Sequence, residues 1–480
     1  MYEEGHRPLY HFTVRSGWQN DPNGLVYMEG EYHLFYQYNP LHNGFGPMNW
    51  GHAVSRDILH WEELPVAIEW DNRGYIWSGS AVVDEADTSG LFDGGRGLAA
   101  FFTYGDDDEN QSIALAYSRD RGRTWTKYAG NPLLRDDGEK AFRDPKVFWY
   151  APAGRWIMVV AGGPVRFYSS ADLINWRFES RNDIWTECPD FFELPIDGEG
   201  RSCWVLDRAG KGAVFGDFDG KAFTPWQNGD EVTWSPDRYA AQTFNQPPDG
   251  RRIELSWFGS WRYQEHLTMR GMLSPFNGGV TLPVELSCRR GRDGAVRLMK
   301  KPISEIDRLH DGRIPVVMED GEKGGLRLTV PDRAADCIVT FSLGTAAGFC
   351  LRIAWGEGTI SAGYDAGGKC FFVDRRDCGL ELPGFCERVE APFIPDENGE
   401  ITLRLFIDRC MLEFFDGEGA WECAAWMPAG GTQPLALEAA FYGGEGKISR
   451  FDAWAMKRIW KGADNRRAAE KPLRPTERAD

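Results

Sequence analysis

Three short segments each set a carboxylate beside a proline: Trp18-Gln-Asn-Asp-Pro-Asn-Gly24, Phe142-Arg-Asp-Pro-Lys-Val147 and Trp185-Thr-Glu-Cys-Pro-Asp190. Their acids, Asp21, Asp144 and Glu187, lie 123 and then 43 residues apart, so only a fold can bring them together. Two carboxylates flanking one bond suit glycoside hydrolysis. One is ionised and attacks the anomeric carbon, while the other is protonated and releases the leaving oxygen. A third acid can hold sugar hydroxyls. Asp21 has Asn20 and turn amides nearby, which favour its charged form. Glu187 sits between Trp185 and Cys188-Pro189. An apolar surround and two neighbouring acids would favour its protonated form, as a general acid needs. Taken singly, Asp-Pro-Asn-Gly reads as a turn and Arg-Asp-Pro as a surface ion pair or turn. The set of three, in this order, carries the chemical reading.

The elements that must position these acids read as strands. Fifty-six glycines and 27 prolines punctuate short runs rich in aromatic and β-branched residues, among them Tyr32–Tyr38, Trp156–Val160, Trp204–Leu206 and Ile253–Phe258. Long 3.6-period stripes are absent, so the chain is expected to be all-β. Ser55-Arg-Asp-Ile-Leu-His-Trp61 is echoed by Ser118-Arg-Asp-Arg-Gly-Arg-Thr-Trp125 and by Ser170-Ala-Asp-Leu-Ile-Asn-Trp176, with a looser echo at Gly216–Gly220. The Asp-to-Asp intervals are 63, 52 and 47 residues. A period of about 50 in all-β sequence points to a β-propeller with one blade per repeat. Each Ser-x-Asp…Trp is then a tight turn before an outer strand. Innermost strands line the propeller axis, where acids from different blades can meet. Residues 1–300 are assigned to the propeller, with room for five or six blades, and 301–312 to a linker. Residues 313–460, poorer in Trp and richer in apolar alternation, read as a β-sandwich. The charged stretch 461–480 is expected to be a disordered tail.

Composition removes several classes. The 480 residues carry 54 Lys and Arg against 72 Asp and Glu, a net charge of −18. That argues against a nucleic-acid or anionic-lipid partner, and a neutral substrate, or none, fits better. No apolar run reaches the roughly 18–20 residues of a membrane span. The aromatic content of 14%, with 20 Trp, suits a sugar-handling protein. Ten cysteines form no CxxC pair, which gives no zinc or redox motif, and they read as reduced, mostly buried thiols. The acidic run Asp106–Glu109 lacks the Gly and bidentate Glu of a calcium loop and reads as a solvated loop. Met1–Pro8 lacks the basic and apolar regions of a secretory signal. The expectation is a cytoplasmic protein, or one whose signal has been removed. The oligomeric state is left open, a homodimer included.

Further motifs accompany the three acids: Tyr32-His-Leu-Phe-Tyr-Gln-Tyr-Asn-Pro40, Trp50-Gly-His-Ala-Val-Ser55, Trp77-Ser-Gly-Ser-Ala81, Asp237-Arg-Tyr-Ala-Ala-Gln242, Thr281-Leu-Pro-Val-Glu-Leu286 and Leu405-Phe-Ile-Asp408 through Glu413-Phe414. With them the sequence, from about 10 to 460, resembles glycoside hydrolase family 32, the invertase, inulinase and levanase family. The resemblance implies a five-bladed β-propeller followed by a C-terminal β-sandwich. It implies Asp21 as nucleophile, Glu187 as acid/base, and Asp144 as the holder of terminal-fructose hydroxyls and stabiliser of the transition state. Asn20, Gln37, Trp50, Ser78 and Arg143 would line the pocket, with Trp77, Cys188 and Tyr239 also among the substrate-binding residues. Phe45 and Phe276 stand where many relatives have Trp and would keep apolar walls, and Val284 replaces a frequent Arg. The implied reaction is double displacement with retention, removing terminal β-D-fructofuranosyl units. A fructosyltransferase, and less readily a non-catalytic fructan-binding protein, are the alternatives on the same scaffold.

Overall fold

The computed structural model describes residues 2–106, 110–135, 138, 141–229, 231–269, 273–318, 325–356, 358–395, 399–428 and 434–460. The expected tail at 461–480 and most of the acidic run at 106–109 lie outside them. Five sheets follow one another up to Pro302, and two larger sheets make up the rest. The five sheets begin with the strands Gly17–Met28, Tyr75–Asp84, Arg143–Tyr150, Pro189–Pro195 and Arg238–Thr243. Each of these inner strands packs against the next, and the last packs against the first. The ring is a β-propeller axis. A short strand from the fifth region, Phe276–Asn277, pairs in parallel with Gly17–Trp18 and fastens the ring shut.

Burial grades outward from this axis. Gly17–Met28 is buried almost throughout, whereas the outer strand Arg177–Thr186 is exposed or half-buried along its length. Large aromatic side chains fill the wedges between sheets, where area grows with distance from the axis. In one wedge Phe191 stacks on Trp204 at 4.8 Å, and Phe218 meets Trp204 at 5.0 Å. The Ser-x-Asp…Trp echoes are turns leading to the outer strands. Asp57, Asp120 and Asp172 each accept a hydroxyl bond from the preceding Ser and backbone N–H bonds from residues two to four further on. That is an Asx-type turn closed by its own carboxylate.

One local expectation changes. Asp21-Pro-Asn-Gly24 is not a turn ahead of a strand but the middle of an inner strand, interrupted by two register shifts against Glu31–Asn39. The bulges re-aim side chains toward the axis. Gly24 has φ +54°, and a Cβ there would lie 2.6 Å from the Phe35 ring. Close packing, rather than turning, therefore requires the glycine.

In the second domain a six-stranded sheet faces a seven-stranded one. Strands such as Leu326–Val330 alternate strictly between buried and exposed residues, the pattern of a sheet with one face in a core. The domain is a β-sandwich. It is joined to the propeller through buried polar groups. Asp408 accepts the backbone N–H groups of Leu9, Tyr10 and His11, and His11 Nδ1 lies 2.8 Å from the same carboxylate. Asp237 accepts the Trp426 N–H and the Arg375 guanidinium, each at 2.7 Å. All ten cysteines are free, eight of them buried. Among the described residues no helix is long and apolar enough to cross a membrane.

Candidate active site

The three acids meet at one end of the propeller axis. Asp21 is 8% exposed. Its Oδ1 accepts the Asn20 amide at 3.0 Å, and its Oδ2 accepts the Ser78 hydroxyl at 2.8 Å and the Cys188 thiol at 3.2 Å. Burial raises its pKa, and the three donated bonds pull against that rise. Asn20 is itself fixed by the Trp18 indole N–H at 2.7 Å. Asn23, two residues beyond the acid, accepts the Gly79 N–H at 3.1 Å and so ties the first inner strand to the second beside Ser78.

Asp144 is 5% exposed. It has φ +60°, a left-handed conformation that Asp tolerates better than most residues. Its N–H is held by the Thr103 hydroxyl at 2.9 Å, and its Oδ2 accepts the Cys188 N–H at 2.9 Å. Burial pushes the Asp144 carboxyl up to about 7, while Arg143 and the Cys188 amide hold it from going further. Cys188 therefore touches two acids, Asp21 through sulfur and Asp144 through its backbone. Its thiol is pushed well up by burial and by the three carboxylates, so it stays protonated and donates.

Glu187 differs from its expected setting. Trp185 points outward at 69% exposure. The Glu187 carboxylate is polar-bound instead, with Arg143 at 2.5 Å on Oε1 and the Tyr239 hydroxyl at 2.7 Å on Oε2. Its side chain is 44% exposed, so it stands at the open side of the cluster while Asp21 and Asp144 form the floor. Burial and the Glu187 charge push the Tyr239 phenol far up and keep it a donor. Arg143 bridges the set, 3.7 Å from Asp144 and 2.5 Å from Glu187.

The remaining expected residues divide. Gln37 is buried, and its side-chain amide has no protein partner. The Trp77 indole N–H is likewise unpartnered, while its carbonyl accepts the Trp50 indole at 3.0 Å. Trp50 is fully buried and offers no surface to a ligand, so it braces the site from behind. Phe45 is 43% exposed on the rim. Phe276 is not a wall of the site. It is fully buried, with the Arg7 guanidinium 4.4 Å from its ring centroid and His6 stacked at 5.6 Å. The pairing of Phe276–Asn277 with the first inner strand puts it in the propeller core.

Sequence reasoning missed Trp261. It is half exposed and packs on Trp18 at 5.9 Å and on Phe45 at 5.3 Å, completing an aromatic wall beside Asn20. The available signal was Ser256-Trp-Phe-Gly-Ser-Trp261, an aromatic and small-residue run leaving the strand Arg252–Phe258. Among the described residues one group has metal-like spacing, and it lies outside this cluster. The described group with metal-like spacing, Asp307, His310 and Asp336, lies at the domain junction, and Arg404 already pairs with both of its acids at 2.6 Å.

A nucleophile-capable buried carboxylate, a half-exposed second carboxylate and an aromatic wall, set at the end of a propeller axis, define a glycoside hydrolase. Models of the glycosyl hydrolases family 32 N-terminal domain and of its C-terminal domain match residues 11–302 and 309–455. The chain belongs to that family. It is 37% identical to the levanase of Bacillus subtilis (strain 168) over 96% of this chain and 72% of that one. It is 34% identical to a fructan beta-fructosidase of Streptococcus mutans, again over 96% of this chain but 34% of the longer relative. The crystal structure of exo-inulinase from Aspergillus awamori superimposes with a TM-score of 0.88 at 28% identity, covering 96% of this chain and all of that one.

Proposed function

We propose that the protein is an exo-acting β-fructosidase, hydrolysing terminal β-D-fructofuranosides of sucrose, fructo-oligosaccharides and inulin- or levan-type chains with retention. One observation carries the exo reading. Directly beneath the carboxylates the axis is plugged by a buried ion pair, Lys146 Nζ to Asp190 Oδ1 at 2.8 Å, with Lys146 also bound to the Thr243 carbonyl at 3.0 Å. Lys146 follows Asp144 by two residues and Asp190 follows Cys188 by two. The pocket is closed at its floor, which suits a terminal unit entering end-on. The levanase, exo-inulinase and fructan beta-fructosidase relatives support the same substrate class.

The roles follow from the surroundings. Asp21 attacks the anomeric carbon of the terminal fructose, and a carbon–oxygen bond to the enzyme forms as the glycosidic bond breaks. Glu187, on the open side where the leaving group departs, gives its proton to the leaving oxygen. Water entering by the same side loses a proton to Glu187 and displaces the fructosyl group, which frees Asp21. The bonds from Asn20, Ser78 and Cys188 orient the Asp21 carboxylate along the axis. Asp144 and Arg143 hold sugar hydroxyls, and the unpartnered donors of Gln37 and Trp77 are available to accepting hydroxyl oxygens. A buried donor left unmade costs roughly 1–3 kcal/mol, so these groups select a ligand that satisfies them. Trp261 and Phe45 supply the apolar face.

Time-resolved chromatography on sucrose, inulin and levan tests the reading. Free fructose as the sole early product is expected from inulin or levan, and equal glucose and fructose from sucrose. Early di- and trisaccharides would mean an open cleft and overturn the exo assignment. The ratio of rates on the two polymers gives the linkage preference.

A further inference from the structure

A second cavity lies apart from the carboxylate pocket. It holds about 700 Å³ and opens at the opposite mouth of the propeller, where the inner strands end at Val82–Asp84, Phe148–Tyr150 and Phe191–Glu193. Trp149 on its wall is five residues from Asp144 along one strand, roughly 16 Å at about 3.3 Å per residue. Between the two lie the Lys146–Asp190 plug and Asn245, whose amide donates to the Ala81 and Val147 carbonyls at 2.8 and 3.0 Å. The two cavities are separate.

Aromatic faces dominate the second one. Trp149 is 44% exposed and meets Trp156 edge to face at 5.1 Å, and Tyr150 meets Trp204 at 5.9 Å. A few polar groups converge on them. Glu193 stands directly across from Trp204 in the strand register, exposed and in none of the described ion pairs. Arg252 makes only two long hydrogen bonds, to the Thr243 hydroxyl at 3.3 Å and the Phe244 carbonyl at 3.2 Å. Its guanidinium lies 5.1 Å from the Phe192 ring centroid, and no described carboxylate lies within 4.0 Å of it. Glu85 closes the rim, 3.4 Å from Arg96.

This wall sorts ligands by chemistry. Anions meet Glu85 and Glu193 on a chain of net charge −18. A wholly apolar ligand would cover Glu193, which is in none of the described ion pairs, and would add nothing to the two bonds of Arg252. A neutral polyol satisfies both. Its C–H face lies on an indole, its hydroxyls donate to Glu193, and its oxygens accept from Arg252. The volume falls within the roughly 300–1,000 Å³ usual for small-ligand sites. We infer that this cavity is a second, non-catalytic sugar site that takes a short neutral oligosaccharide. That the sugar is a fructo-oligosaccharide rests on the β-fructosidase reading above.

The test uses the full chain carrying Asp21→Asn, titrated by calorimetry with 1-kestose and with 6-kestose. Two binding events per chain are expected with at least one of these sugars. Adding Trp149→Ala, or separately the conservative Glu193→Gln, should weaken one event at least tenfold and leave the other unchanged. With Asp21 intact, Trp149→Ala should keep its kcat/KM on sucrose. A single event insensitive to both substitutions, or two events insensitive to both, overturns the second site. A single event abolished by Trp149→Ala keeps the second site and instead removes the reading of the carboxylate pocket.

Discussion

Replacing Asp144 by Asn should stabilise the protein while removing its activity, and the stabilisation should grow with pH. Asp144 is buried, and its carboxyl is pushed up to about 7 from an ordinary 3.8. A carboxyl whose folded pKa lies above its unfolded value stabilises the fold fully below the unfolded value, and that contribution is lost as pH rises through the folded one. The gap of about three pH units, at ~1.4 kcal/mol each, means that keeping Asp144 charged costs on the order of 4 kcal/mol above pH 7. At pH 5 only about one unit of the gap is in play, on the order of 1–2 kcal/mol. Asn carries no charge, and its carbonyl still accepts the Cys188 N–H that Asp144 Oδ2 accepts at 2.9 Å. For a domain the size of the propeller, 1 kcal/mol corresponds to about 1.6 °C of thermal midpoint. Asp144→Asn should therefore melt about 2–3 °C above the wild type at pH 5 and about 6–7 °C above it at pH 8. Scanning calorimetry of both proteins at both pH values measures this. An increment that does not grow with pH, or a variant that melts lower at pH 8, would refute the picture of a strained, charged carboxylate in the pocket floor.

Asp21→Asn should abolish turnover with the fold intact, because an amide of the same size cannot form the bond to the anomeric carbon, and wild-type rates would remove Asp21 as nucleophile. Glu187→Gln should slow hydrolysis of sucrose by about 10²–10⁴-fold, and far less for fructosyl fluoride, whose leaving group needs no proton; equal losses on both would assign Glu187 another task. His11 is fully buried, which alone lowers its pKa, but its bond to Asp408 and the Glu413 carboxylate 3.3 Å away raise it to about 9. Its folded value exceeds the unfolded 6.5, so its contribution, on the order of 3 kcal/mol, is complete below pH 6.5 and lost as pH rises through 9. The wild-type melting point should fall across that window, and His11→Gln should flatten the fall.

Strand patterns, the Asx turns and the three acids were legible because each is local: an acid, its proline and its neighbours are contiguous in the chain. What surrounds each acid was not. The setting of Glu187 depends on Arg143 and Tyr239, 44 and 52 residues away, and neither could be placed beside it by composition. Contiguous Trp185 suggested an apolar surround, yet strand alternation turns that ring to solvent. Asp-Pro-Asn-Gly has the composition of a turn, but tertiary pairing with Glu31–Asn39 absorbs it into a bulged strand. Phe276 and Trp261 exchange the places that resemblance alone would give an aromatic wall. Only ring closure by Phe276–Asn277 decides which of them faces the pocket.

The stitching of Leu9, Tyr10 and His11 onto Asp408 bears on how such a gene can be rearranged. The propeller's first residues are anchored some 400 positions downstream, and Asp237 at the start of the fifth inner strand is neutralised by Arg375 of the sandwich, 2.7 Å away. A half paired with a partner that lacks these groups would keep Asp408, Asp237 or Arg375 buried and unpaired, a penalty of several kcal/mol for each broken buried pair. The two halves are thus one unit of inheritance. Recombination that swaps in a foreign sandwich must bring matching charges at both seams, whereas additional modules can be appended beyond them without disturbing either.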